Sequence, residues 1–165
     1  MNAISEQTVS PLEETVHRLY ATQNTNCAET LLAACNEVYD LDLPESSIRL
    51  MSGFGSGLYT GNVCGALCGL TAALSMLLVE DRAHTCKPLR PSQVLLVRNF
   101  RQILGETQCA KCKALHHSET ERCLKTCLLA AQAMNQTVSE LEEQGVLVLP
   151  ASCKAKAESQ NEPAK

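Results

Sequence analysis

The chain has 165 residues, a net charge of −4 at pH 7 and a pI of about 5.6, and 45% of its residues are hydrophobic. This length predicts one domain with a substantial core, and the lack of a basic stripe excludes nucleic acid as an expected partner. Because only 3% of the residues are aromatic and Trp is absent, the composition favours packed helices over a β-sandwich.

Apolar residues recur at helical spacing along most of the chain. The predicted helices cover residues 11–22, 26–40, 45–51, 63–80 and 92–104, followed by one from 118 to about 141. The segment 105–117 is predicted to be a loop or a short helix. Together these segments predict an all-α, single-domain bundle of five to six helices over residues 1–150, with a polar disordered tail at 151–165.

Local signals predict where several helices begin. Asn26 with Glu29 three residues later resembles a capping box, and residues 118–121 (SETE) form another. Asn62 is the predicted N-cap of the central helix. In the helix over 92–104, Val94 and Val97 are expected to face inward with two further apolar residues, Phe100 and Leu104.

The amino terminus has no basic start followed by an apolar run, so no signal peptide is expected. The longest apolar stretch, residues 66–79, is too short and too interrupted to span a bilayer. We therefore expect a cytoplasmic protein without membrane insertion.

The high cysteine content is the most informative feature of the composition. The ten cysteines are Cys27, Cys35, Cys64, Cys68, Cys86, Cys109, Cys112, Cys123, Cys127 and Cys153. Disulfide scaffolds are short, loop-rich and exported, whereas this chain is long and helical in pattern. In a reducing compartment, so many cysteines indicate metal, cluster or redox chemistry.

Two cysteines fall at predicted helix starts, Cys27 directly after the Asn26 cap and Cys64 two residues after Asn62. Free N–H groups and the positive end of the helix dipole favour a thiolate there, and the thiolate is the form that binds metals and attacks disulfides. Gly61 and Gly65 flank Cys64, and such glycines allow tight turns and close approach of another helix or a cofactor.

The remaining cysteines fall into pairs or stand alone. Cys64 and Cys68 are four residues apart, as are Cys123 and Cys127, so each pair shares a helix face. Cys109 and Cys112 form a C-x-x-C, which suits a zinc site, an iron–sulfur cluster or a dithiol couple. The alternative for Cys35 and Cys68 is simple core packing. Cys86 and Cys153 are interpreted as incidental.

The sequence resembles a family of redox-active proteins defined by a CGAxxG motif and four characteristic cysteines, written C_GCAxxG_C_C. Residues 64–69 (CGALCG) fit that motif without a gap, and residues 53–61 resemble its Gly-rich lead-in. Residues 26–30 (NCAET), 104–109 (LGETQC) and 123–131 (CLKTCLLAA) resemble the segments around the other three cysteines.

The resemblance implies a redox site formed by Cys27, Cys64, Cys109 and Cys123. Cys68, Cys112 and Cys127 are lesser candidates, and whether Cys123 or Cys127 is the fourth ligand stays open. Six cysteines are additional to the four of the family pattern, so four thiols need not be the whole site.

The first hypothesis is an iron–sulfur cluster held by these thiolates for electron transfer or redox sensing. The alternatives are metal-free dithiol–disulfide exchange and a structural zinc or thiolate metal site. The resemblance extends to split-Soret-type cytochromes, but Lys113 follows the C-x-x-C where covalent haem attachment needs His. No covalent haem is therefore expected. An unidentified redox or transport protein is the expected partner, a homodimer is possible, and no feature marks an enzyme.

Overall fold

The computed structural model describes residues 9–153. Over this range the chain forms seven α-helices and no β-strand. They are α1 (Pro11–Thr22), α2 (Cys27–Tyr39), α3 (Glu45–Arg49), α4 (Gly65–Leu78), α5 (Leu89–Leu104), α6 (Cys109–His116) and α7 (Leu124–Glu143). The predicted all-α bundle is confirmed. The helix count in the described range exceeds the predicted five to six because the segment left as loop or short helix forms α6.

Helices α2 and α4 pack against each other at the centre of the bundle, while α1 covers α2 and α7 packs against α5 and α1. The α2–α4 contact is close because Gly69 of α4 has no side chain, and a Cβ there would collide with the carbonyl oxygen of Ala28. Gly65 allows a second close approach, since a Cβ there would lie 2.7 Å from the carbonyl oxygen of Phe54, in the segment before α4. This packing brings the amino-terminal ends of α2 and α4, and the cysteines there, to the same part of the molecule.

The predicted capping box of α2 is confirmed. The Asn26 side chain accepts from the Glu29 N–H at 3.0 Å, and the Glu29 carboxylate accepts from the Asn26 N–H at 3.0 Å. The Asn26 amide also donates to the Ser52 carbonyl at 2.9 Å. These bonds satisfy backbone donors that the first turn of a helix leaves free, and they fix Cys27 as the first residue of α2.

Two predicted helix starts were wrong. Helix α4 begins at Gly65 with Cys64 as its N-cap, not after Asn62, because the Cys64 N–H donates to the Thr107 carbonyl at 2.8 Å. Helix α7 begins at Leu124 rather than near residue 118. The Ser118 hydroxyl does accept from the Glu121 N–H, but the next residue, Arg122, is left-handed with φ of 54° and closes a turn instead.

The predicted inner face of α5 is partly wrong. Val94 is 63% exposed, whereas Phe100 and Leu104 are buried as expected. The buried Asn99 sets the rotation of this helix, because its amide donates to the Thr137 hydroxyl at 3.1 Å and to Glu140 at 3.0 Å on α7.

The described chain ends in a helical turn over residues 151–153, where Cys153 is buried and the Ser152 hydroxyl donates to Asp40 at 2.8 Å. The rest of the predicted disordered tail, residues 154–165, lies outside the described residues. None of the helices over residues 9–153 is long and apolar enough to cross a membrane.

Candidate functional site: a cluster of six thiols

Six of the ten cysteines lie together at one end of the bundle, and none of the ten, all within residues 9–153, forms a disulfide. The members of this thiol cluster are Cys27, Cys64, Cys109, Cys112, Cys123 and Cys127. They come from the amino-terminal ends of α2, α4 and α7 and from α6. Five of the six are buried and Cys123 is half-buried. The structure thus brings together all four cysteines of the predicted site and two of its lesser candidates.

Cys27 has the most strongly lowered pKa of the cluster thiols. Hydrogen bonds from the thiols of Cys123 and then Cys127 lower the pKa of Cys27 to about 3, and the backbone N–H groups of Cys27 and Ser56 add to this effect. Burial opposes the shift but is outweighed. A buried thiolate that accepts several hydrogen bonds is a good metal ligand and a good nucleophile.

Backbone pairing between two distant segments places the C-x-x-C beside Cys64. Val63 and Gln108 form an isolated antiparallel bridge. The Cys64 N–H donates to the Thr107 carbonyl at 2.8 Å, and the Cys109 N–H donates to the Asn62 carbonyl at 2.5 Å. Helix α6 therefore begins alongside the start of α4.

Cys64 and Cys112 form a hydrogen-bonded pair. The bond from the Cys64 thiol lowers the pKa of Cys112 and raises that of Cys64, which burial raises further. The Cys112 sulfur also lies 3.3 Å from the carbonyl oxygen of Glu106, to which its thiol form donates. Burial raises the pKa of Cys109, and the charge of Cys64 adds to that effect while Lys113 opposes it.

The Gly-rich segment before α4 forms one wall of the cluster. Residues 56–59 all have positive φ angles, so they make a turn of left-handed helix that L-residues seldom adopt. Gly57 in this turn has φ of +63°, and a Cβ there would lie 2.6 Å from the Cβ of Cys109. Strained backbone is often found at functional sites, and here it aims the Ser56 N–H at Cys27.

Gly61 and Gly65, the two glycines predicted to support the site through their backbone, lie on either side of Cys64. Gly61 has φ of +75°, and a Cβ there would lie 3.2 Å from the Cβ of Ala110 on α6. Gly65 is the first residue of α4, directly after the Cys64 cap.

Both candidates for the fourth ligand lie in the cluster. Cys123 is the N-cap of α7, and its N–H donates to the Tyr20 hydroxyl at 2.9 Å. Cys127 is fully buried one turn later. The hydrogen bond to Cys27 raises the pKa of both thiols, and burial adds to the shift. Both Cys123 and Cys127 are therefore within reach of Cys27, and either could serve as the fourth ligand.

The other four cysteines are not members of the thiol cluster, but Cys68 lies at its border, because burial raises the pKa of Cys68 and the charges of Cys64 and Cys27 add to the shift. Cys68 is half-buried and lines an apolar groove of about 550 Å³ with Phe54, Leu67 and other residues. Cys35 is buried in the core, in agreement with the alternative that it serves only in packing. Cys86 lies in the connector before α5, where its thiol donates to the Leu78 carbonyl at 3.3 Å.

Sequence reasoning gave too little weight to Cys112 and Cys127 as parts of the cluster. The signal was their spacing, since a residue three or four positions after a helical cysteine returns to the same face. It did not identify the Tyr20 hydroxyl or the Ser56 N–H, which reach the cluster through contacts that are distant in sequence.

Over residues 9–153, no group of three or more His, Cys, Asp or Glu side chains has a geometry that could hold a metal ion. Five of the six cluster thiols are hydrogen-bonded to one another instead, in one group around Cys27 and one pair formed by Cys64 and Cys112. Cys109 interacts with Cys64 and Cys27 through their charges.

Residues 25–137, more than half of the chain, match the sequence profile of a family described as "Putative redox-active protein (C_GCAxxG_C_C)". The chain belongs to this family. The matched range contains all six members of the thiol cluster, and the family description makes redox activity the broad function to explain. Comparisons with curated proteins and with solved structures gave no match.

Proposed function

We propose that the thiol cluster is a redox centre that binds an iron–sulfur cluster through Cys27, Cys64, Cys109 and Cys123 for electron transfer or redox sensing. The observation that carries the proposal is the convergence of six thiols from four helices at one buried location. A dithiol couple needs only two sulfurs, and core packing does not require cysteines in sequence-distant positions to meet.

The donor set fits this cofactor in its chemistry. Cysteine thiolates are the usual ligands of iron–sulfur clusters, and nearby N–H donors tune their reduction potentials. The lowered pKa of Cys27 favours its thiolate form, and the N–H groups of Ser56 and Ala66 point at Cys27 and Cys64. When bound, the cluster would supply one-electron chemistry. Binding would require the thiol–thiol hydrogen bonds to be replaced by bonds to iron.

Burial of the site suggests the kind of partner. The thiol cluster lies beneath the turn of residues 56–59, where Leu58 and Tyr59 are 44% and 70% exposed. Exposed apolar side chains next to a buried redox centre suit contact with another protein. We therefore propose a redox protein as the electron donor or acceptor.

Dithiol–disulfide exchange without metal is the second candidate, and the sulfur–sulfur hydrogen bonds favour it. Cys27 contacts the thiols of Cys123 and Cys127, so a thiolate and two potential resolving thiols are already neighbours. Exchange needs a thiolate and an accessible partner sulfur. A zinc or other thiolate-bound metal site without turnover is a further outcome, because soft thiolates also bind zinc.

Metal analysis of protein purified without oxygen tests these candidates. Iron with a matching amount of acid-labile sulfide is the expected result. Zinc without sulfide would indicate the structural metal site, and a metal-free protein whose thiols oxidise and reduce reversibly would indicate exchange. The Cys86→Ser variant is a suitable control because Cys86 lies outside the thiol cluster and a hydroxyl can keep its bond to Leu78.

A further inference from the structure

We infer that Cys64 and Cys112 form a redox pair that closes to a disulfide, and that this disulfide blocks cofactor loading. The four-cysteine pattern of the family leaves Cys112 without an assigned role. The inference rests on the proposed function only for its consequence for cofactor binding, because the disulfide itself can be observed in metal-free protein.

Local geometry identifies the pair. The Cys112 sulfur lies 3.3 Å from the carbonyl oxygen of Glu106, and the next residue, Thr107, accepts from the Cys64 N–H at 2.8 Å. The two thiols are hydrogen-bonded to each other. Cys27, in contrast, is shared between two thiols. In a C-x-x-C the default disulfide joins the two cysteines of the motif, but here Cys112 is bonded to Cys64 rather than to Cys109.

The backbone holds the two sulfurs in place. Bonds from Cys64 to Thr107 and from Cys109 to Asn62 fix the start of α6 against the start of α4. Cys112 follows Cys109 by three residues on the same helix and so returns to the same face of α6. Disulfides form readily only between cysteines whose backbones are already close, and this anchoring brings the starts of the two helices together.

The reaction needs a small oxidant because both thiols are buried, and hydrogen peroxide meets this need. One thiolate of the pair attacks peroxide, forms a sulfenic acid and releases hydroxide. The second sulfur then attacks the sulfenic sulfur, the S–S bond forms, and a second hydroxide leaves. The two thiol protons neutralise both hydroxides, so the dithiol loses two electrons and peroxide becomes two waters. With Cys64 in a disulfide, one proposed ligand is lost.

Peptide mapping after peroxide treatment of reduced, metal-free protein tests the inference. Trypsin cuts after Lys111 and Lys113, so Cys109 and Cys112 fall on different peptides. The expected product links Cys112 to the peptide of residues 50–82, and fragmentation assigns the bond to Cys64 rather than Cys68. A link between Cys109 and Cys112, or no link to Cys112, would overturn the inference.

Iron loading gives the second readout, with each protein compared with its own untreated sample. Peroxide should abolish loading of the wild type until a reductant is added. Cys112→Ser should lose a smaller fraction of its loading after the same brief treatment, because its Cys64 has no partner and disulfide formation is confined to the thiols around Cys27. Equal sensitivity of the two proteins, or a Cys112→Ser protein that takes up no iron even before peroxide, would overturn the inference. If the wild type forms the Cys64–Cys112 disulfide but never takes up iron, the iron–sulfur proposal is refuted and the inference about the Cys64–Cys112 pair is still supported.

Discussion

Helix α2 carries two cysteines, Cys27 as its first residue and Cys35 about two turns later, and their thiols have opposite acidities. Cys27 is 8% exposed and Cys35 is fully buried, so burial disfavours the thiolate of both. Cys27 nevertheless has a pKa lowered to about 3, whereas burial alone raises the pKa of Cys35. The difference lies in the hydrogen-bond donors that surround Cys27. Burial, in contrast, accounts for the raised pKa of Cys35. A cysteine-rich core becomes a reactive site only where such donors converge.

Removing a thiol from each region should give the largest contrast. Cys64→Ala should reduce the iron and sulfide content to background because a proposed ligand is lost. Cys35→Ala should keep both and lose only about 1 kcal/mol of stability through a small cavity. Metal analysis and urea unfolding measure the two effects. Full iron content in Cys64→Ala would remove Cys64 from the ligand set.

The close α2–α4 packing can be disturbed without touching a thiol. Gly69→Ala should lower the free energy of unfolding by about 1–3 kcal/mol because the new methyl group collides with the Ala28 carbonyl. Gly53→Ala is the matched control, since a Cβ there meets nothing within 4 Å. Urea unfolding of both variants makes the comparison. Equal stabilities would show that the close approach of α2 and α4 is not required.

The protonation of Cys27 gives a pH-dependent contrast in reduced, metal-free protein. The pKa of Cys27 is about 3 in the folded state, below the ordinary value of 9.0. Between pH 3 and pH 9 the unfolded state therefore binds more protons than the folded state. The contribution of Cys27 to the free energy of unfolding rises with pH over this range. The stability advantage of wild type over Cys27→Ala should therefore shrink as the pH falls from 8 toward 4.

Thiolate absorbance in the ultraviolet provides an independent measure. At pH 6 the wild type should show about one thiolate per chain that Cys27→Ala lacks and Cys35→Ala keeps. If wild type and Cys27→Ala had the same absorbance at this pH, the hydrogen bonds from Cys123 and Cys127 would not ionise Cys27.

The smallest expected effect comes from comparing the N-caps of α1 and α2, Ser10 and Asn26, each of which forms a capping box. Asn26→Ala and Ser10→Ala each remove an N-cap, which should cost about 1 kcal/mol of stability. Only Asn26 caps the helix that begins at Cys27, so only Asn26→Ala should also change the thiolate absorbance at pH 6. A similar change in Ser10→Ala would mean that general loosening of the fold causes it.

Local signals explain what could be predicted from the sequence. The capping box at Asn26 and Glu29 lies within four residues, so its geometry follows from the sequence around it. The same reasoning failed at Asn62 and Ser118. The bond from Cys64 to Thr107 spans more than 40 residues, and the left-handed Arg122 closes a turn that local capping rules do not foresee.

The membership of the thiol cluster was only partly predictable for the same reason. Cys27 and Cys64 stood out because helix starts and glycines are local features. The pairing of Cys112 with Cys64 depends on the antiparallel contact between Val63 and Gln108, which no periodicity reveals. Val94 shows the converse, since its spacing fits an inner face but Asn99 fixes a different rotation of α5.

The most direct test of the redox-centre proposal is the visible spectrum of protein purified without oxygen, recorded before and after reduction with dithionite. We expect a broad visible absorption that reduction bleaches, with iron and sulfide in matching amounts in the same sample. A colourless, iron-free protein with ten titratable thiols would contradict the iron–sulfur cluster and leave the thiol pairs as the redox chemistry of this fold.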